Sequence, residues 1–194
     1  MERLLLATRN PHKTREFAEI LGENFVVRDL AEELDLPVIQ ETGSTFAENA
    51  ILKAVATSRQ FHELVVADDS GLEVDALNGA PGVYSARYAG NVSDSENVAK
   101  LLAELEKHPN DRPRSARFRC VLALAREGRV LGTFEGAVEG IIVKRPRGSD
   151  GFGYDPVFQP TGWNRTFAEI SPAEKNRISH RARAIQLLRA DLLI

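Results

Sequence analysis

Residues 65–71 read V-V-A-D-D-S-G, and the fold turns on what they are. Val65, Val66 and Ala67 have the composition of a buried strand end. Asp68 and Asp69 follow at once, then Ser70 and the turn residue Gly71. An apolar strand that closes in charge delivers that charge to the rim of a sheet, where α/β enzymes hold ligands. Side chains alternate along a strand, so adjacent aspartates face opposite ways and have different duties. One can face a metal ion or a water while the other anchors the turn. Taken alone, the stretch reads more simply as a strand ending in a solvated Asp-Asp-Ser-Gly turn. The rest of the chain decides between the two.

Length and composition narrow the setting. A chain of 194 residues predicts one domain, or one domain with two lobes. A content of 43% hydrophobic and 27% charged residues is that of a soluble globular protein able to bury a core. The formal net charge of −3 argues against a bulk electrostatic grip on nucleic acid or an anionic membrane, so an anionic ligand needs a local basic pocket. Cys120 is the single cysteine, which rules out an internal disulfide and suits a reducing compartment. The opening apolar run is too short for a secretion signal, and the expected location is cytoplasmic. Arginine outnumbers lysine nineteen to six, yet Lys13, Lys53 and Lys175 all fall in the stretches singled out below. Lysine's compact point charge differs from arginine's fork, so a site can require it there.

Upstream of the aspartates, Thr45 and Glu48 form a capping box that opens a helix to about residue 62. Phe46, Ala50, Ala54, Val55 and Phe61 form its buried side. Lys53 lies in this helix and either snorkels to solvent or aims into a cleft. Glu41 precedes the helix on a loop. Further back, residues 3–7 predict a buried first strand, and Asn10 and Pro11 are an N-cap and first position for a helix through residue 21. Lys13 sits in that helix's first turn, where a cation is unfavourable unless a phosphate lies between it and the free N–H groups. An ordinary capped helix with an exposed lysine is the equal alternative. Residues 25–27 and 36–39 predict a second and a third strand.

Downstream, residues 72–77 alternate like a strand, 78–82 form a turn, and 83–90 predict an irregular ligand loop or subunit contact. Ser93 and Glu96 form a second capping box, with Val98, Leu101, Leu102 and Leu105 facing inward. Residues 108–113 predict a loop and 114–125 a strand with Ala116, Phe118, Cys120, Leu122 and Leu124 on one face. A turn at 127–129 leads back into 130–134 as an antiparallel hairpin, and 138–143 predict one more strand. The expected fold is α/β with a mixed sheet, parallel early and meandering late. Neither G-x-x-x-x-G-K-[ST] nor G-x-G-x-x-G occurs.

Two later stretches carry chemistry. Residues 148–156 (G-S-D-G-F-G-Y-D-P) let backbone approach a ligand closely, with Phe152 able to stack on a base and Asp155 able to accept from ring N–H groups. A glycine-rich surface loop is the plainer alternative. Ser171 and Glu174 form a third capping box ahead of Lys175, His180 and Arg181. On one continuous helix Lys175 and Arg181 would point about 120° apart. A break near Ser179 would start a second helix with His180 and Arg181 in its first turn, from where they could meet Lys175. Ala182, Ile185, Leu188 and Leu192 pack that last helix.

Together, T-R-N-P-H-K (8–13), E-T-G-S-T-F-A-E-N-A-I-L-K-A (41–54), A-D-D-S-G-L (67–72), G-A-P-G-V-Y-S-A-R-Y (79–88), G-F-G-Y-D-P-V-F (151–158) and E-K-N-R-I-S-H-R (174–181) stand in an order and spacing that resembles the inosine triphosphate pyrophosphatase family. The family usually has glycine at position 150, where Asp150 adds a negative charge beside the expected pocket. The resemblance implies an elongated mixed sheet flanked by helices, two lobes with a substrate cleft between them, and a homodimer. It implies a single two-lobed domain over residues 1–194 that hydrolyses non-standard purine nucleoside triphosphates (ITP, dITP, XTP) to the monophosphate and pyrophosphate with Mg²⁺. Carried over by position, Thr8, Asn10 and Lys13 would hold the phosphates, Arg9, Pro11 and His12 would bind substrate beside them, and Ser70 would contact substrate. Glu41 and Asp69 would bind Mg²⁺, with Asp69 also the general base. Lys53 would steady phosphate charge or the attacking water, and Asp68 would support the turn. Phe152, Gly153, Tyr154, Asp155, Lys175, His180 and Arg181 would grip the base.

The chemistry agrees with those residue types. Attack of water on the α-phosphorus concentrates negative charge that Mg²⁺ and lysines stabilise while a carboxylate takes the proton. Hypoxanthine and xanthine carry an O6 acceptor where adenine carries an amino donor. Donors from Lys175, His180 or Arg181 would match O6 and clash with adenine, a mode of discrimination worth up to about 10⁴–10⁵. Guanine shares O6, so its rejection needs a missing partner or crowding at the 2-amino group. A nucleotide-binding module without turnover, and a phosphatase removing only the terminal phosphate, are the competing classes.

Overall fold

The computed structural model describes residues 2–33, 36, 37, 39–90, 92–108 and 114–193. Its six-stranded sheet has the order β2-β1-β3-β4-β5-β6, from β1 (Glu2–Leu6), β2 (Phe25–Asp29), β3 (Leu64–Val74), β4 (Ser115–Arg126), β5 (Arg129–Ile142) and β6 (Phe158–Pro160). β1 runs parallel to both β2 and β3, whereas β5 and β6 are antiparallel. Glu127 and Gly128 both take positive φ (50° and 77°), the two-residue turn that closes a tight β4–β5 hairpin. The sheet is mixed, as the motif order predicts. Among the described residues no helix is long and apolar enough to cross a membrane.

The helices start where their caps predict. α1 (Pro11–Leu21) has Asn10 accepting from the His12 N–H and Pro11 at its first position. α2 (Phe46–Ser58), α3 (Asp94–Glu106) and α4 (Pro172–Ile178) each carry a complete capping box, from Thr45 and Glu48, Ser93 and Glu96, and Ser171 and Glu174. Extended backbone at Ser179 breaks the last stretch, and α5 (His180–Leu192) begins at His180. Val98, Leu101 and Leu105 of α3 are buried, and Leu102 is half-buried.

The chain divides into two compact units: Met1–Asp69, Cys120–Gly136 and Arg181–Ile194 make the first, and Ser70–Arg119 with Ala137–His180 the second. The core of the first gathers Leu4, Leu6, Phe17, Val66, Leu122 and Ile185. The core of the second gathers Leu72, Leu101, Phe118, Phe158 and Phe167.

Several expectations need correction. β3 does not end at Ala67 in a turn; it continues through Asp68, Asp69, Ser70 and Gly71 to Val74. Both carboxylates find cations, so neither has to be brought out to water. After Val74 the chain tightens into a 3₁₀ turn at Asp75–Leu77, ended by Asn78 at φ 53°, so the strand expected over 72–77 stops early. Residues 83–90 are not irregular but fall largely in a 3₁₀ segment, Gly82–Arg87. α2 ends at Ser58 rather than near 62, leaving Phe61 half-buried beyond it.

The strands expected at 130–134 and 138–143 are one strand, because pairing runs on through Glu135, Gly136 and Ala137. Of the strand expected at 36–39, Val38 lies outside the described residues, and Leu36, Pro37 and Ile39 are not in a strand. Pro37 has no N–H for a ladder, and the Leu36 carbonyl accepts from Arg9 instead. Of the loop expected at 108–113, residues 109–113 lie outside the described residues. β6 has no sequence signal, since three residues ending in proline carry no alternation.

Candidate active site

In the first unit β3 presents Asp68 and Asp69 to opposite sides, and each collects its own cations. The Asp68 carboxylate accepts from Lys13 of α1 through Oδ1 and from Arg181 Nε of α5 at 2.7 Å through Oδ2. The Cys120 thiol of β4 donates to the same Oδ2 at 3.2 Å, and Arg181 Nη1 pairs with Glu16 at 2.6 Å. Burial alone would raise the Asp68 pKa, but the charges of Arg181 and Lys13 overturn it and hold the group well below the usual carboxylate range. Arg181 is pushed down by burial and, more strongly, up by Asp68 and Glu16, so it is a permanent cation. Burial and the neighbouring Asp68 raise the Cys120 thiol well above its ordinary value, so it is not a nucleophile.

Asp69 meets Lys53. The Lys53 ammonium donates to Asp69 Oδ1 at 2.9 Å, to Glu41 Oε1 at 2.7 Å and to the Asp68 carbonyl at 2.9 Å. Burial pushes the Lys53 pKa down, but Asp69 and Glu41 outweigh it and raise it, so the ammonium stays charged between them. The capping box fixes the start of α2, and the Gly43 N–H on Asn49 Oδ1 at 2.8 Å ties the Glu41 loop to that helix. A Cβ at Gly43 would lie 2.7 Å from that oxygen, so glycine is needed there.

The second Asp69 oxygen, Oδ2, is buried and has no hydrogen-bond partner among the described residues. Burial raises the Asp69 pKa against the pull of Lys53. Among the described residues no group of three or more His, Cys, Asp or Glu stands ready as a metal cage. Glu41 and Asp69 share one ammonium, and Asp69 carries an unsatisfied oxygen. Mg²⁺ is commonly held by one or two carboxylates with waters and substrate phosphates, so this donor set fits it.

The 8–13 stretch forms the approach to α1. Thr8 Oγ1 accepts from the Asn10 N–H at 3.1 Å, and Asn10 Oδ1 accepts from the His12 N–H at 2.9 Å. Arg9 is directed elsewhere, onto the Glu33 and Leu36 carbonyls at 2.9 Å each. Pro11 and His12 are exposed at the helix start.

In the second unit, Asp155 Oδ2 accepts from the Phe152 N–H at 2.9 Å and from Lys175 Nζ at 2.6 Å. That ammonium lies 4.8 Å from the Phe152 ring centre and 5.7 Å from that of Phe167, a desolvated cation against aromatic faces. Gly151 has φ 77°, and a Cβ there would lie 2.0 Å from Asp155 Oδ2. The Gly153 N–H donates to Asp94 and the Tyr154 hydroxyl to the Ser85 carbonyl. His180 stacks on Phe118 with ring centres 4.7 Å apart. Ser70 is half-buried in β3, and Asp150 is exposed.

Three groups therefore form: Glu41, Lys53 and Asp69; Lys13, Asp68 and Arg181; and Phe152, Asp155 and Lys175. Lys175 holds Asp155, and Arg181 holds Asp68 and Glu16. Sequence reasoning missed Glu16, Cys120 and Asp94. Glu16 follows Lys13 by three positions on one helix, which puts both on one face. Nothing local marks the other two.

A model of the Ham1 family matches residues 4–191. A dITP/XTP pyrophosphatase of Geobacillus kaustophilus is 52% identical over 190 residues, covering 97% of this chain and 93% of that protein. One of Bacillus licheniformis is 50% identical over 192 residues, covering 98% and 97%. A HAM1 protein structure from Coxiella burnetii superposes with a TM-score of 0.88 at 45% identity, covering 100% of this chain and 99% of the other. Whole-length identity and backbone likeness agree with the motif order, and the chain belongs to the Ham1 family.

Proposed function

We propose that this protein hydrolyses ITP, dITP and XTP to the nucleoside monophosphate and pyrophosphate, removing non-standard purines from the nucleotide pool. The observation that carries the reading is the Lys53 ammonium bracketed by Glu41 and Asp69, with Asp69 Oδ2 buried and unsatisfied beside them. Relatives about half identical over nearly the whole chain are named dITP/XTP pyrophosphatases, which supports the substrate class.

Glu41 and Asp69 would hold Mg²⁺, which when bound neutralises charge on the phosphate oxygens. Thr8, Asn10 and Lys13 would orient the triphosphate, with Arg9, Pro11 and His12 shaping that approach and Ser70 touching substrate. Asp69 takes the proton of the attacking water as its oxygen bonds to the α-phosphorus. The bond to the bridging oxygen breaks and pyrophosphate leaves with the electron pair. Burial favours proton uptake by Asp69, which suits a base. Lys53 steadies the negative charge that grows in the transition state.

Phe152 would stack on the purine, with Gly153, Tyr154 and Asp155 forming the loop around it. Lys175, His180 and Arg181 would present the donors that match O6. The same reading makes residues 1–194 one functional domain of a cytoplasmic homodimer, without a nucleic-acid or membrane partner. Light scattering on the purified protein checks the dimer.

The decisive experiment is product analysis with ITP and ATP side by side, with and without Mg²⁺, on wild type and Asp69→Asn. IMP and pyrophosphate from ITP alone, lost without the metal and in the variant, are expected. IDP and orthophosphate would move attack to the terminal phosphorus and overturn the reading. Binding without product would leave a nucleotide sensor.

A further inference from the structure

The loop around Phe152 is tied largely to its own surroundings. The Ser149 and Asp150 N–H groups both donate to the Ala168 carbonyl at 3.1 Å, and the Phe152 N–H donates to Asp155. Two bonds go farther along the chain. The Tyr154 hydroxyl donates to the Ser85 carbonyl at 2.9 Å, and the Gly153 N–H donates to Asp94 Oδ2 at 2.6 Å. Phe152 and Gly153 thus hand consecutive N–H groups to two different carboxylates. One of these, Asp155, also carries Lys175, whose ammonium faces the Phe152 ring. The other, Asp94, is the first residue of α3.

Asp94 is not needed to cap that helix. Ser93 Oγ accepts from the Glu96 N–H, and Glu96 Oε2 accepts from the Ser93 N–H at 3.0 Å, so the reciprocal cap is complete without it. Its carboxylate is spent on Gly153, whose φ of 61° turns the peptide in a way that a residue with a side chain rarely adopts. The receiving segment is itself fastened. Ser85 Oγ donates to the Gly82 carbonyl at 2.6 Å and accepts from the Leu72 N–H at 2.9 Å, and Asn97 Oδ1 accepts from the Ala89 N–H at 2.7 Å.

We propose that Asp94 is a positioning residue for purine recognition, holding the Gly153 peptide so that the Phe152 ring stays where a base can stack. This rests on the reading that the Phe152 loop receives the base. Asp94 acts on how readily nucleotide binds, and leaves the reacting phosphorus to Glu41, Lys53 and Asp69. A charge-assisted bond to backbone is among the stronger single anchors a loop can have. Losing it obliges each binding event to order the loop anew.

The test compares wild type, Asp94→Ala and Asp94→Asn in ITP kinetics, thermal unfolding and hydrogen–deuterium exchange of nucleotide-free protein. Asp94→Ala is expected to raise KM roughly tenfold while kcat moves less than about twofold, and to speed exchange across residues 150–155. Asp94→Asn keeps an acceptor oxygen and is expected to restore most of both. A lowered Tm with unchanged KM and exchange would make Asp94 only a charge at a helix end and overturn the proposal. So would faster exchange with unchanged KM, because the loop's order would then not govern binding. If wild type releases no IMP and pyrophosphate from ITP, the functional reading has failed and the recognition role falls with it. The exchange data would still show whether Asp94 fastens the loop.

Discussion

The two faces of β3 carry the same side chain under opposite conditions. Asp68 is saturated, with Arg181, Lys13 and Cys120 on its oxygens, and its proton affinity is driven far down. Among the described residues Asp69, one residue on, bonds one ammonium and keeps a buried oxygen without a hydrogen-bond partner, and its proton affinity is driven up. Both are buried, so burial does not separate them; the number of cations does. A carboxylate held by two cations and a thiol is kept ionised. One with a valence open can take a metal or a proton. Placing the two side by side on one strand sets a strongly paired carboxylate next to one with an oxygen left open.

The sharpest way to break this contrast is to neutralise each aspartate in turn. Asp69→Asn removes the proposed base and proposed metal ligand, and ITP turnover is expected to fall by about 10³ or more with the fold intact. Release of pyrophosphate and thermal unfolding, measured together, check it. Asp68→Asn should reverse the pattern. It removes the counter-charge that Arg181 and Lys13 share while leaving Arg181 paired with Glu16, and breaking such a buried pair costs about 3–5 kcal/mol. Urea unfolding reads that loss directly, and equal stability in the two variants would dissolve the distinction.

Acid sharpens the comparison further, because the two groups have opposite linkage signs. The folded pKa of Asp68 is depressed. Its contribution is present above the ordinary carboxylate value and is lost as pH falls through the lower, folded value. The folded pKa of Asp69 is raised. Its contribution is present below the ordinary value and is lost as pH rises through the higher, folded one. Stability curves of Asp68→Asn and Asp69→Asn against pH should therefore depart from wild type in opposite directions. The smallest effect is expected in the second unit. Gly151→Ala forces a Cβ to within 2.0 Å of Asp155 Oδ2 at φ 77°, and should lower stability by about 1–3 kcal/mol while raising KM for ITP.

What was legible in the sequence was local. Each helix start came from a cap a few residues long, as with Thr45 and Glu48 or Ser171 and Glu174. The break at Ser179 follows from the angle between Lys175 and Arg181, and the different partners of Asp68 and Asp69 follow from strand alternation. Turns and breaks were the weak point. In sequence the pair Asp68-Asp69 reads as a strand end because charge in mid-strand is expensive without partners, and the partners lie far along the chain. Glu135-Gly136-Ala137 looked like a break for the same reason, since cross-strand pairing rather than composition carries β5 through it.

By itself, then, the sequence determined where helices begin and that the sheet is mixed, because capping and alternation act over short stretches of chain. Only the tertiary structure decided who pairs with whom. Asp68 meets Lys13 across 55 positions and Arg181 across 113, and Asp94 meets Gly153 across 59. Ion pairs are set by proximity in space, and a buried carboxylate takes its proton affinity from whichever cations the folded chain brings to it.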